Sequence, residues 1–208
     1  MAAAEPIRKK DDVRKMAEYW LAKGSRRNYL LIFLGVYSAL RISDLLSLTW
    51  DDIYDFKRGR FKKHITMTEQ KTGKRRAIFL NGFILRILRA YRKDLKVVDA
   101  KDCLFSGRDK RSPVSRVRAW SVIKEAAKAA GVSGNISCHS LRKTFGYHAW
   151  QKKVSVAVIM EVFNHSSFAV TRRYLGIAQD ELDRAQNTVF SSWRDRKKRT
   201  RPKIKQAS

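Results

Sequence analysis

The stretch NHSSFAVTRRYLGI, residues 164–177, sets Tyr174 directly behind Arg172 and Arg173 and less than three helical turns after His165. A phenol so placed is either a core aromatic whose hydroxyl finds a neighbour or a nucleophile beside groups that hold a phosphate. Upstream, CHSLRKTF sets His139 and Arg142 three residues apart, so on a helix both project from one face and can approach the same anion. The plainer alternative has His139 capping the helix and Arg142 in a surface ion pair. Arg41, in SALRISDLLSLTW, is flanked by apolar sequence, where a guanidinium is costly to bury unless a carboxylate or phosphate pairs with it. Lys71, in EQKTGKRR, is a loop lysine beside other basic residues, which are commonly just solvated. His165 has its own alternative, a satisfied polar group at a helix end between Asn164 and Ser166.

The charge balance narrows the partners. The 208-residue chain carries 46 Lys and Arg against 19 Asp and Glu, a formal +27, and such an excess opposes compaction unless a polyanion neutralises it. Membrane surfaces are polyanions too, but no apolar run reaches spanning length and no signal-like start is present, so no membrane partner is expected. The two cysteines, Cys103 and Cys138, have neither CxxC spacing nor a nearby histidine pair, which argues against a zinc site and for inert thiols in a reducing, cytoplasmic compartment.

The elements that must position these groups are mostly helical. DDVRKMAEYWLAK, residues 11–23, has apolar residues at helical spacing and Gly24 as a stop; NYLLIFLGVYSAL is long and apolar enough for a buried helix, and a shorter helix follows in ISDLLSLTW. RFKKHITM and RRAIFL are β-prone runs around the turn-forming KTGK, which predicts a small antiparallel sheet with a basic hairpin tip. GFILRILRAYRKDL and VSRVRAWSVIKEAAKAA return to helix, the second stopped by Gly131. Four more helices follow, in HSLRKTFGYHAWQ, SVAVIMEVF, AVTRRYL and DELDRAQNTVF. No repeat or linker divides the chain, so the expectation is one domain over 1–192, mainly α with a small antiparallel β-sheet (α+β). The tail 193–208, with eight basic residues against one acid, is expected to be disordered when free and to lie along phosphates when bound.

Arg in LRISDLL, Lys in KTGK, HxxR in HSLR, His in NHSS and the following TRRYL occur in an order that resembles the catalytic domain of the tyrosine recombinases, the phage integrase family. The resemblance runs from about Asn28 to Ile177. It implies a recombinase acting on specific sites in double-stranded DNA through a 3′-phosphotyrosyl intermediate. Arg41 and Arg142 would clamp the scissile phosphate, Tyr174 would attack it, Lys71 would protonate the leaving 5′ oxygen, His139 would assist at the tyrosine and His165 would hydrogen-bond the phosphate. No cofactor is implied and no metal: no acids cluster as a two-metal site demands, with Asp44 expected to be structural and Asp51 and Asp52 to form a turn. Arg116 and Arg118 on one helix, and Lys74 and Arg75 on the hairpin, are the expected DNA contacts. The segment 178–192, with Leu182, Ala185, Val189 and Phe190 on one side, either packs on its own domain or, as in the family, docks into a neighbouring protomer of a tetramer on DNA. A bacterial, phage or mobile-element origin goes with the resemblance.

The family commonly has Gly where Asn164 precedes the histidine and often where Ala39 precedes LR; asparagine tolerates left-handed backbone angles. It also commonly carries a separate DNA-clamping domain upstream, so the chain is either a minimal single-domain recombinase or a fragment of a longer one. Two other outcomes fit the same residues: type IB topoisomerase-like nicking and resealing, and a DNA-binding factor without catalysis.

Overall fold

In a computed structural model of the chain, residues 3–175 and 186–189 are described. The expected docking segment and basic tail lie outside the described residues, apart from a helical stretch at 186–189. Residues 1–175 form one compact unit and 176–208 a second.

Helix α1 (Lys10–Ala22) buries Val13, Met16, Ala17 and Trp20 at the predicted spacing, with Asp11 and Asp12 in the first turn where the helix dipole favours negative charge. Helix α2 (Arg26–Ser38) is buried over much of its length and ends at Ala39 in the left-handed region, φ 54°. Helices α3 (Ile42–Leu46) and α4 (Trp50–Ile53) follow. Asp51 and Asp52 therefore belong to a short helix rather than a turn, because Asp52 and Thr49 close a capping box at its start.

Strand β1 (Tyr54–Asp55) pairs antiparallel with β2 (Arg60–Phe61), and β3 (His64–Thr68) with β4 (Arg75–Phe79). The single small sheet expected from RFKKHITM is thus two separate hairpins. The run breaks at Lys62 and Lys63, where the Lys62 N–H donates to the Ile53 carbonyl at 2.8 Å and draws the chain back to the end of α4.

Helices α5 (Gly82–Asp94), α6 (Arg116–Ala129), α7 (Cys138–Gln151), α8 (Val156–Phe163) and α9 (Phe168–Leu175) complete the unit. Side chains of Asn81, Ser115 and Ser155 accept from backbone N–H groups and cap α5, α6 and α8. Helix α1 packs on α2 and α6, and α2 on α5 and α7, around a core that includes Leu31, Leu34, Trp50, Leu88, Phe105 and Ile123. Each such side chain contributes about 1.5–3 kcal/mol by leaving water. Helix α7, which carries HSLR, is held by two close approaches. A Cβ on Gly35 of α2 would lie 2.6 Å from Leu141 Cδ1, and one on Gly146 would lie 2.7 Å from Phe163 Cζ. Only glycine lets α7 sit this near α2 on one side and α8 on the other.

Candidate active site

Arg41 occupies the N-cap position of α3 in extended conformation, φ −65°, so its side chain leaves the junction between the apolar runs toward the β3–β4 hairpin. The carboxylate expected beside it is Glu69: Arg41 Nη1 donates to Glu69 Oε2 at 2.8 Å. Glu69 is fully buried, and strand alternation puts it there, since Ile65, Met67 and Glu69 are the less exposed positions of the run while Thr66 and Thr68 face out. Its carboxylate also accepts from Arg76 Nη1 at 3.2 Å, Thr72 Oγ1 at 2.9 Å and Asn164 Nδ2 at 3.1 Å. Burial pushes the Glu69 carboxyl up, but the bonds from Asn164, Thr72 and Arg41, with the Arg41 charge, outweigh it and hold the group at about 2.

Arg142 is 1% exposed. Its Nη1 donates to the carbonyl of Ala39 at 2.6 Å and its Nη2 to that of Phe163 at 2.5 Å. Both acceptors are the last turns of helices, and both helices end left-handed: α2 at Ala39 and α8 at Asn164, φ 52°. Those turns aim carbonyls at one guanidinium and tie α2, α7 and α8 together. Arg142 Nε is buried without a partner among the described residues. Arg142 is buried, and the surface ion pair weighed for it does not form among the described residues. Nor does His139 cap α7: Ser137 and Ser140 make that capping box.

His139 Nε2 lies 2.6 Å from Tyr174 Oη, so the phenol hydroxyl and the imidazole share a proton. The ring centroid of Tyr174 is 4.7 Å from that of His165 and 5.2 Å from that of Phe163, and the Arg142 guanidinium carbon stands 5.8 Å from the tyrosine ring centre. His165 Nδ1 is 3.0 Å from the hydroxyl of the buried Thr171. Desolvation, with the charges of Arg142 and Arg41, lowers His165 to about 4. His139 keeps an exposed edge, yet desolvation of the rest of its ring and the charges of Arg142, Lys143 and Arg41 also lower it. Both imidazoles are therefore neutral at pH 7, and His139 can accept a proton that His⁺ could not. Desolvation beside Arg41 likewise lowers Arg142, to about 10, which leaves it charged.

Five of the six predicted residues, Arg41, His139, Arg142, His165 and Tyr174, converge in this region of one chain. Lys71 does not join them: it is exposed on the hairpin tip and makes no hydrogen bond or ion pair with the cluster among the described residues. Arg116 and Arg118 are exposed at the start of α6, and Lys74 and Arg75 on the hairpin. Sequence reasoning passed over Glu69, Arg76, Thr72 and Thr171. Only Glu69 left a signal, an acid just past β3, in phase with its inward positions and beside a strongly basic hairpin tip. Asp44 is buried and accepts from the Gln70 N–H at 3.0 Å, anchoring the hairpin tip.

The chain resembles known proteins throughout this region. The model of the phage integrase family matches residues 8–181. The probable integrase/recombinase YoeC of Bacillus subtilis (strain 168) is 38% identical over 190 residues, covering 91% of this chain and 98% of that one. Among solved structures, XerA recombinase superposes with a TM-score of 0.68 at 20% identity over 97% of this chain and 66% of its own. A lambda integrase tetramer bound to a Holliday junction gives 0.64 at 20% identity over 86% of this chain and 51% of its own. The chain thus spans nearly all of YoeC but only about half to two thirds of those two solved chains. A family match over most of the residues, together with that close relative, settles its kinship: the chain belongs to the phage integrase family, the tyrosine recombinases.

Proposed function

We propose that the chain is a site-specific DNA recombinase that cleaves and rejoins strands through a phosphotyrosyl bond at Tyr174. The observation that carries this reading is the 2.6 Å contact between Tyr174 Oη and the neutral His139, beside Arg142 and Arg41. Arg41 and Arg142 hold the non-bridging oxygens of the scissile phosphate and offset the charge that grows as the pentacoordinate transition state forms. Tyr174 Oη attacks phosphorus and its proton passes to His139 Nε2. The bond from phosphorus to the 5′ oxygen breaks, its electron pair stays on that oxygen, and the Lys71 ammonium supplies the proton. His165 Nδ1 stands 3.0 Å from the Thr171 hydroxyl, which orients the ring, and in the tautomer with its proton on Nε2 the imidazole donates to a phosphate oxygen. A 5′ hydroxyl of a second strand then attacks the phosphotyrosine and reverses these transfers. Every proton and charge in the cycle is handled by side chains, so the step uses no metal and no ATP.

The +27 charge supports a DNA partner, with Arg116, Arg118, Lys74 and Arg75 among the exposed cations that meet it. Assembly on DNA has support in an apolar groove of about 600 Å³ on the first unit, bounded by Phe33, Val36, Phe83, Phe145, Val158 and Val162. Its occupant in this reading is the 178–192 segment of a neighbouring copy, whose Leu182, Ala185, Val189 and Phe190 fall on one side at helical spacing. Deleting the residues after Ile177 should leave DNA binding largely intact and abolish assembly.

The test is denaturing electrophoresis with nicked duplexes carrying a site selected by the wild-type chain from random DNA, followed by peptide mapping of the adduct. Tyr174→Phe should bind the same DNA and form no covalent complex; an adduct that persists in this variant refutes the assignment. A plasmid-relaxation assay beside a two-site exchange assay separates recombination from nicking and resealing.

A further inference from the structure

Glu69 is a fully buried acid in a strongly basic hairpin, and its side chain does more than neutralise Arg41. Oε2 receives three donors from three parts of the chain: Arg41 at 2.8 Å, Thr72 at 2.9 Å and Asn164 at 3.1 Å. Oε1 takes the fourth, Arg76, whose Nη2 reaches on to the Ser38 carbonyl at 3.0 Å. Asn164 closes a triangle by also donating to Thr72 Oγ1 at 2.9 Å. The backbone of the tip hangs on the same residue, because Glu69 N–H donates to the Lys74 carbonyl and Gly73 N–H to the Glu69 carbonyl, at 3.0 and 2.9 Å.

These contacts bracket Lys71. The residue two before it is buried and fourfold bonded; the one before it is tied through its N–H to Asp44; the one after it is bonded to both Glu69 and Asn164. The Lys71 side chain is exposed and projects from the tip held between them. The anchor points are Arg41, which holds the phosphate in the reading above, and Asn164, which immediately precedes His165.

We infer that Glu69 is a positioning residue for strand cleavage: it clamps the hairpin tip to Arg41 and to the end of α8, so that Lys71 is delivered to the leaving 5′ oxygen. The inference rests on the recombinase reading and assigns Glu69 no contact with DNA. A neutral isostere cannot replace it. Glutamine would turn an amide N–H₂ toward one of two arginine donors and would leave Arg41 and Arg76 without the buried charge between them.

The test has two arms, on the full chain with Glu69→Gln and with Thr72→Ala, a change at an exposed loop residue that leaves the buried ion pairs in place. In the first, limited trypsin digestion of the free protein reads the tip directly through cleavage after Lys71 and Lys74. Both variants should be cut there several-fold faster than wild type, and unchanged rates would overturn the inference. In the second, covalent-adduct formation is measured on the wild-type-selected nicked duplex and on the same duplex with sulfur in place of the bridging 5′ oxygen. A thiolate departs without a proton, so a defect in Lys71 delivery disappears on the sulfur substrate. Misplacing an acid by an ångström costs on the order of 10²-fold on the oxygen substrate, and Glu69→Gln should regain most of that with sulfur, as Lys71→Ala should. A Glu69→Gln defect of equal size on both substrates, matching Arg41→Ala, would overturn the inference and make Glu69 a partner of the arginine only. Failure of the wild-type chain to form any adduct would remove the recombinase reading, and the inference with it, while the trypsin arm would still report on the clamp.

Discussion

The neutrality of His165 can be tested without DNA. Its folded-state value of about 4, against 6.5 for the free side chain, means that between those values the unfolded chain binds a proton the folded chain refuses. Stability therefore has its full value above pH 6.5 and falls as the pH drops toward 4. Between pH 7.5 and 5 the shift is worth about 2 kcal/mol for a fully enclosed ring. His165 retains some solvent contact, so screening reduces this to about 1 kcal/mol. Desolvation is the largest cause; the charges of Arg142, Arg41 and His139 add to it and that of Glu69 opposes it, and His139 is itself lowered. His148, on α7, is lowered too, by desolvation against a partly offsetting bond from its ring to the Ile7 carbonyl. The assay is urea unfolding by tryptophan fluorescence at constant ionic strength, at pH 7.5 and 5, for wild type and His165→Gln. Both lose stability through His139 and His148, but wild type should lose about 1 kcal/mol more. Parallel losses in the two proteins would refute the claim that His165 is held neutral beside the arginines.

Three further outcomes follow from the same geometry. Glu69 titrates in a lower window: its contribution is fully present above 4.5 and lost as the pH falls toward 2, so acid unfolding should be less steep below pH 4.5 in Glu69→Gln than in wild type. Gly146→Ala puts a Cβ 2.7 Å from the Phe163 ring and 3.3 Å from the Tyr174 carbonyl; overpacking should cost about 1–3 kcal/mol in urea unfolding and slow adduct formation as well. Asn164 combines a left-handed backbone with two side-chain bonds, so Asn164→Gly loses only the bonds, whereas Asn164→Ala adds backbone strain and should be about 1 kcal/mol less stable than the glycine variant.

Where the structure agrees with the sequence, the reason is local. Val13, Met16, Ala17 and Trp20 repeat at helical spacing within a single element, and Asn81 and Ser115 cap the helices they precede, so each pattern can be seen in one stretch of chain. Arg41 was legible for a similar reason, since a guanidinium among apolar residues demands a partner. The identity of that partner was not. Glu69 meets Asn164 across 95 residues and Arg41 across 28, and Arg142 reaches the Ala39 carbonyl across 103. Such contacts depend on how helices end and pack, which no short motif states. The split of the sheet at Lys62 has the same origin, a backbone bond back to Ile53 that competes with strand continuation.

The electrostatics of the cluster explain why its histidines and arginines tolerate one another before a phosphate arrives. Desolvation, with the charge of Arg41, lowers Arg76 and Arg142, and Glu69 is the buried carboxylate that pairs with Arg41 and Arg76. Among the described residues Arg142 takes no carboxylate and is held by carbonyl dipoles at two helix ends, which orient it without cancelling its charge. Desolvation above all, with the remaining positive potential of the arginines, lowers His139 and His165 and keeps both unprotonated. The same field that would draw in a phosphodiester therefore also keeps the imidazole beside Tyr174 able to accept the phenol proton. A phosphodiester in the site would offset part of that field, lifting both histidines toward their protonated forms just as the tyrosine gives up its proton. Replacing Arg142 with a neutral residue should accordingly raise His139 toward its ordinary value in the free protein, a shift readable by NMR titration of the imidazole; an unmoved His139 would mean that desolvation alone holds it down.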